Sequence, residues 1–192
     1  MIRHADDVAR LTTEEIRAWC AADLGYVAER DDLGYTPLIA ACDRGNTAVV
    51  RALLAAGADP NFTAADGESP LKSAVPSPGG AVDLELFDLL LDAGACPNAG
   101  LEPPLHIAVV RGHRALVAHL IRRGADPNHE DADGCPPLFW AGVYGDGRPD
   151  LEMMRLLVAH GADVTRRDGI GRHLGDRIGP HALRFITERT HP

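Results

Sequence analysis

Apolar positions in this chain come in short bursts at helical spacing, separated by glycine and by polar turns. The plainest burst is GYTPLIAACDRGNTAVVRALLAAGADPN, residues 34–61. Leu38, Ala40 and Ala41 share one side of a predicted inner helix that ends at Gly45. Val49, Val50, Leu53 and Leu54 then recur at three- and four-residue intervals, which predicts a second amphipathic helix over residues 47–55. Thr36 precedes the first helix, where its hydroxyl accepts from an unpaired N–H. Pro37 takes the first helical position, where a missing N–H costs nothing. Gly57 supplies the left-handed ending of the second helix.

The same landmarks return three times. Pro37-Leu38 recurs as Pro70-Leu71, Pro104-Leu105 and Pro137-Leu138, at spacings of 33, 34 and 33 residues. Gly57-Ala58 recurs as Gly94-Ala95, Gly124-Ala125 and Gly161-Ala162. A period near 33 with these landmarks resembles the ankyrin repeat. The resemblance implies an all-α solenoid of stacked helix–turn–helix units with short β-hairpin-like finger turns. The repeats are expected at residues 31–63, 64–98, 99–130 and 131–165, in one domain over 1–192. Residues 1–30 read as an opening cap or degenerate repeat. Thr12 or Thr13 can start a helix there, with Glu15 as a capping-box partner and Ile16, Trp19 and Cys20 as its stripe.

The copies differ in telling ways. Repeat two inserts PSPGGAV before Asp83, so Gly57 to Gly94 spans 37 residues, and repeat four inserts VYGDGRPD before Leu151. Each insertion adds four residues between helices, at 76–82 and 143–149. Repeat three is short, Gly94 to Gly124 being 30, which trims its finger to residues 99–102. Beyond 166 the pattern is expected to decay into a closing cap. A short helix falls near 173–178 and a longer one starts at Pro180, with Leu183 and Ile186 inward and arginines outward.

Composition narrows the function. The formal charge of −9 favours solubility and argues against affinity for nucleic-acid backbones. It is uneven, residues 166–192 carrying +3 and the remainder −12. Cys20, Cys42, Cys96 and Cys135 form no CxxC pair and read as small fillers in a reducing compartment. With no signal-like run and no membrane-length segment, the expectation is a cytoplasmic protein that binds no membrane. Lys72 is the sole lysine. That arginine bias suggests GC-rich coding and a bacterial source.

The nine histidines show no metal-ligand spacing, and no nucleophile or phosphate-loop motif occurs, so neither a cofactor nor catalysis is expected. His106 and His113 occupy positions where the resemblance implies structural histidines. Ile39, Lys72 and Phe139 replace the first of these elsewhere. Pro103 and Pro136 replace the capping Thr, losing about 1 kcal/mol per cap. The resemblance implies protein recognition through a concave surface of fingers and inner helices. Asp31, Asp32, Asp66, Glu68, Glu102, Glu130, Asp131 and Asp133 cluster on the turns and suit a partner with a basic surface, although about half are expected to serve only their own turns. The candidate contact residues are Asp32, Leu33, Tyr35, Arg44, Asp66, Glu68, Arg111, Asp133 and Tyr144. The reading is a monomeric intracellular adaptor or inhibitor of one protein. A neutraliser of a toxic enzyme in a bacterium is a specific form of it. A self-associating structural protein and an enzyme or metal site from converging His and Cys are the rivals.

Overall fold

The structure, a computed structural model, describes residues 26–141 and 148–188 together with Glu14 and Ala18. The expected opening cap lies largely outside the described residues. The chain divides into two compact units, Met1–Pro76 with Gly80–Gly100, and Leu101–Pro192 with Ser77–Gly79.

In the first unit a short 3-10 turn, Tyr26–Ala28, precedes four helices: α1 Pro37–Asp43, α2 Thr47–Ala55, α3 Pro70–Ser73 and α4 Leu84–Asp92. α1 packs on α2 and α3, and α2 on α4. The starts follow capping chemistry: Thr36 Oγ1 accepts from the Ile39 N–H, Ser69 from Lys72, Asn46 from Val49 and Asp83 from Glu85. Leu38, Ile39, Val50, Leu53, Leu71, Leu86, Phe87 and Leu90 form the core, each at most 3% exposed. Leu54, expected in the buried stripe, is half-buried, and Ala52 takes its place. With Val49 and Leu53 facing inward, Ala52 lies on the same face and Leu54 rotates to its edge.

The second unit holds α5 Pro104–Val110, α6 Arg114–Arg122, α7 Pro137–Trp140, α8 Leu151–Ala159 and α9 Leu174–Glu188. α5 packs on α6 and α7, α6 on α8, and α8 on α9. The prolines that replace Thr at the starts of α5 and α7 make no side-chain cap, as their lost hydroxyl requires. The inserted repeats have inner helices of four residues, α3 and α7, against seven in α1 and α5. Insertion therefore also unwinds the inner helix. The loop base in repeat four is closed by the Asp150 N–H donating to the Ala141 carbonyl at 2.8 Å.

All four outer helices end alike. Ala58 N–H donates to Leu53 O and Gly57 N–H to Leu54 O, each at 3.0 Å, with Gly57 at φ 89°. The pattern recurs at Gly94-Ala95, Gly124-Ala125 and Gly161-Ala162, satisfying otherwise orphaned carbonyls. A side chain from the preceding repeat reaches the same place. Asn61 donates to Gly94 O at 2.9 Å and accepts from Cys96 N–H at 2.8 Å. Asn128 does the same with Gly161 O and Asp163 N–H, at 2.8 and 2.7 Å.

The closing cap departs from expectation, because the repeat pattern persists through one more finger. Asp168 N–H donates to Arg172 O and Gly171 N–H to Asp168 O, the pairing that Asp31, Gly34 and Tyr35 make in the first finger. The Asp168 side chain, 1% exposed, accepts from the Ile170 and Arg172 N–H groups, Arg172 Nε at 2.8 Å and Arg177 at 2.9 Å. Burial raises its pKa, but these donors overcome that, led by the Arg172 N–H and guanidinium, and hold the carboxyl at about 2. The arginines are not uniformly outward. Arg184 is 75% exposed, but Arg177 is only 19% exposed and lies over the Phe139 ring. Gly179 leaves helical geometry before Pro180, whose ring cannot continue the turn. Ile186 is buried as expected and Leu183 half-buried.

Gly169 is required by contact. A Cβ there would lie 1.7 Å from the Asp133 carbonyl oxygen and 2.8 Å from its carbon. Gly169→Ala should therefore lower stability by about 1–3 kcal/mol, read as a shifted urea midpoint with faster amide exchange over residues 168–188. Asp168 adds a pH dependence. Its pKa falls from 3.8 unfolded to about 2 folded, so its contribution is complete above 3.8 and lost as pH falls towards 2. Asp168→Asn should flatten that part of the urea-midpoint profile.

Candidate partner-binding surface

Each finger begins with the backbone, and the carboxylates divide according to whether the turn uses them. In the first unit Asp31 Oδ1 accepts from the Leu33 and Tyr35 N–H groups at 3.0 and 2.8 Å, an Asx-type turn that commits the carboxylate to its own loop. Ala64 holds the equivalent place in the next finger, and there Asp66 accepts from the Glu68 N–H at 3.0 Å. Tyr35 Oη crosses between the two fingers and donates to the other oxygen of Asp66 at 2.5 Å. This bond, followed by burial and by nearby carboxylates, pushes the phenol up to about 12. The Asp66 carboxyl is lowered by the Tyr35 hydroxyl first and then by the Glu68 N–H, against a smaller opposing effect of burial. Glu68 accepts from Ser73 Oγ at 2.8 Å and pairs with Lys72 at 3.1 Å.

Tyr35, Asp66 and Glu68 thus join a polar cluster that ties repeats one and two. Asp32 and Leu33 stand on the outside of the finger, Leu33 at 71% exposure. Arg44 is exposed at the C-terminal end of α1.

In the second unit Asp131 accepts from the Asp133 and Cys135 N–H groups at 3.0 and 2.9 Å and from Trp140 Nε1 at 2.6 Å. Glu130 pairs with Arg166 at 3.0 Å. Asp133 projects from the tip, and Arg111, half-exposed, closes α5. Tyr144 lies outside the described residues, as does most of the 143–149 loop; the 76–82 loop is described, and Ser77–Gly79 within it are exposed. Two large apolar residues that sequence reading passed over are exposed on this unit's fingers, Leu101 at 67% and Ile170 at 75%. A signal for Ile170 was present: it stands two residues after Asp168 as Leu33 stands after Asp31.

His106 performs the structural task its position implies. Its Nε2 lies 3.0 Å from the Cys135 carbonyl of the following finger. A carbonyl only accepts, so Nε2 carries the proton and the buried, unpartnered Nδ1 keeps a lone pair. Burial first of all lowers the imidazole pKa. Cys42 is buried and its thiol pKa is raised by that burial, while Cys96 is exposed; both, like Cys135, are free thiols. Among the described residues no group of His, Cys, Asp or Glu could hold a metal ion, and no helix is long and apolar enough to cross a membrane.

Comparison with known proteins identifies the repeat unit. The family model described as ankyrin repeats (3 copies) matches residues 10–100 and 80–168. The human ankyrin repeat domain-containing protein 63 is 32% identical over 131 residues, covering 67% of this chain and 32% of its own length. An ankyrin repeat protein of fowlpox virus is 32% identical over 156 residues, covering 78% of this chain and 42% of its own. Zygote-specific protein 3 of Chlamydomonas reinhardtii is 34% identical over 137 residues, 70% of this chain and 34% of its own. The chain therefore spans less than half the length of these relatives.

The His106 joint makes stability depend on pH. The folded pKa lies below the unfolded 6.5, so the unfolded chain takes up the proton first. The contribution is complete above 6.5 and declines as pH falls below it. Urea midpoints at roughly pH 7.5 and pH 5 should differ less in His106→Gln than in the parent.

Proposed function

The chain belongs to the ankyrin-repeat family, whose repeats are non-enzymatic protein–protein interaction modules, and we propose that it is an intracellular adaptor or inhibitor that captures one protein partner with a basic surface. Charge distribution carries this reading. Residues 1–100 hold 16 acidic against 7 basic residues, whereas residues 101–192 hold 12 of each. The negative excess thus lies in the half that presents Asp32 and the 71% exposed Leu33 on its first finger. A leucine set among carboxylates offers an apolar anchor together with long-range steering of a cationic surface.

Asp66 keeps its negative charge while bonded to Tyr35, so the clasp fixes a carboxylate at the finger without neutralising it. Arg44, Arg111, Asp133 and Tyr144 complete the proposed contact set. A bacterial cytoplasmic protein that neutralises a cationic toxic enzyme is the form of inhibitor this charge suits. Self-association between the acidic half and the basic residues 166–192 is the rival. A monomer by light scattering at low salt speaks against it.

The test begins with affinity purification from the native cell and identification of the captured protein. Asp32→Lys combined with Leu33→Ser, both exposed positions, should weaken that capture by about tenfold or more while far-UV circular dichroism stays unchanged. Undiminished capture by this variant rejects the first finger as the contact.

A further inference from the structure

The second unit carries a ridge of finger tips on which the fold has left three side chains unspent. Backbone contact joins the tips directly. The Ala132 N–H donates to the Leu101 carbonyl at 3.0 Å, and Gly169 packs against the Asp133 carbonyl so closely that no Cβ fits between them. Leu101, Asp133 and Ile170 therefore stand on three adjoining strands of backbone in one unit. Leu101 is 67% and Ile170 75% exposed, two of the four large apolar residues exposed among the described residues.

Asp133 differs from the acids around it. Asp131 is held by its own turn and by Trp140, Glu130 by Arg166, Asp163 by Thr165, and Asp168 by Arg172 and Arg177. Among the described residues the Asp133 carboxylate takes no hydrogen bond or ion pair. Its backbone N–H is bound to Asp131, so the charge is held on a braced loop.

An apolar–acidic–apolar row on a braced backbone has a definite complement. We propose that this ridge docks an extended segment of a partner protein that carries Arg or Lys between two apolar residues at alternate positions. Alternation follows from geometry. Neighbouring tips touch, Leu101 to Ala132 through a hydrogen bond and Asp133 to Gly169 through close packing, and an extended chain likewise presents successive side chains on one face at short, regular intervals of about 7 Å. The central cation meets Asp133 and the flanking residues cover Leu101 and Ile170. The proposal rests on the protein-binding reading and assigns a second contact in addition to the first finger.

The probe is a set of short fluorescein-labelled peptides with apolar residues flanking a central arginine, lysine or glutamate at alternate positions, titrated with the full chain and read by fluorescence anisotropy. The arginine and lysine peptides should bind saturably and at least about tenfold tighter than the glutamate peptide. Asp133→Lys should reverse that preference. Leu101→Ser and Ile170→Ser should each weaken binding of the cationic peptides with the preference retained. Circular dichroism and the thermal midpoint establish that each variant is folded. Equal binding of cationic and acidic peptides, an unchanged preference in Asp133→Lys, or no saturable binding by any peptide overturns the ridge. These outcomes are separate from failure of the general reading, which is judged by capture of the native partner and its dependence on Asp32 and Leu33.

Discussion

A helix that stops must dispose of its last carbonyls, and much of this structure follows from how that is done. Each outer helix turns through a left-handed glycine, so that two N–H groups fold back onto the final turn and a buried alanine follows. Asn61 and Asn128 then reach from one repeat to the backbone of the next. The end of one helix is thereby completed by a neighbour. Such a unit has little reason to be stable alone, and the tie between neighbours is a nearest-neighbour term of the kind that makes repeat arrays cooperative.

The fingers carry a second division of labour. An aspartate at the head of a turn, such as Asp31, Asp131 or Asp168, is consumed by the loop it caps. Residues further along the same turn are released for other contacts. Leu33, Asp133 and Ile170 share one register position, the second after the heading aspartate, and differ in chemistry while their turns stay alike. Repetition of the frame thus separates folding from recognition at neighbouring positions on a loop.

Much of the fold was legible because its signals are local. Pro37 and its counterparts mark helix starts, glycine marks the ends, and the four-residue insertions shift the period visibly. The bounds of α2 and the Pro180 break needed nothing more than propensity and capping. What escaped depends on contacts distant in sequence. That α3 and α7 shrink to one turn, that Ala52 rather than Leu54 is buried, and that Arg177 turns inward towards Asp168 are outcomes of packing. The closing finger was obscured for a related reason: Arg172 and His173 stand where Tyr35 and Thr36 stand in the first repeat, so the landmark residues change while the turn persists. Among the contact candidates, residue type pointed to Tyr35, Asp66 and Glu68, yet their mutual hydrogen bonds and the Lys72 pair emerge only once two fingers lie side by side.

The inserted segment of repeat four begins after Ala141, whose carbonyl is held by the Asp150 N–H at 2.8 Å. Asp150 in turn caps α8 and is bound by Arg114 of the preceding repeat, both its oxygens lying 2.7 Å from one guanidinium nitrogen. The two stems of the loop are thus pinned to each other and to the stack, independently of how many residues run between them. Asp150 therefore serves three neighbours at once, the start of its own helix, the end of the inner helix and the preceding repeat, so that a change at this one residue reaches all of them.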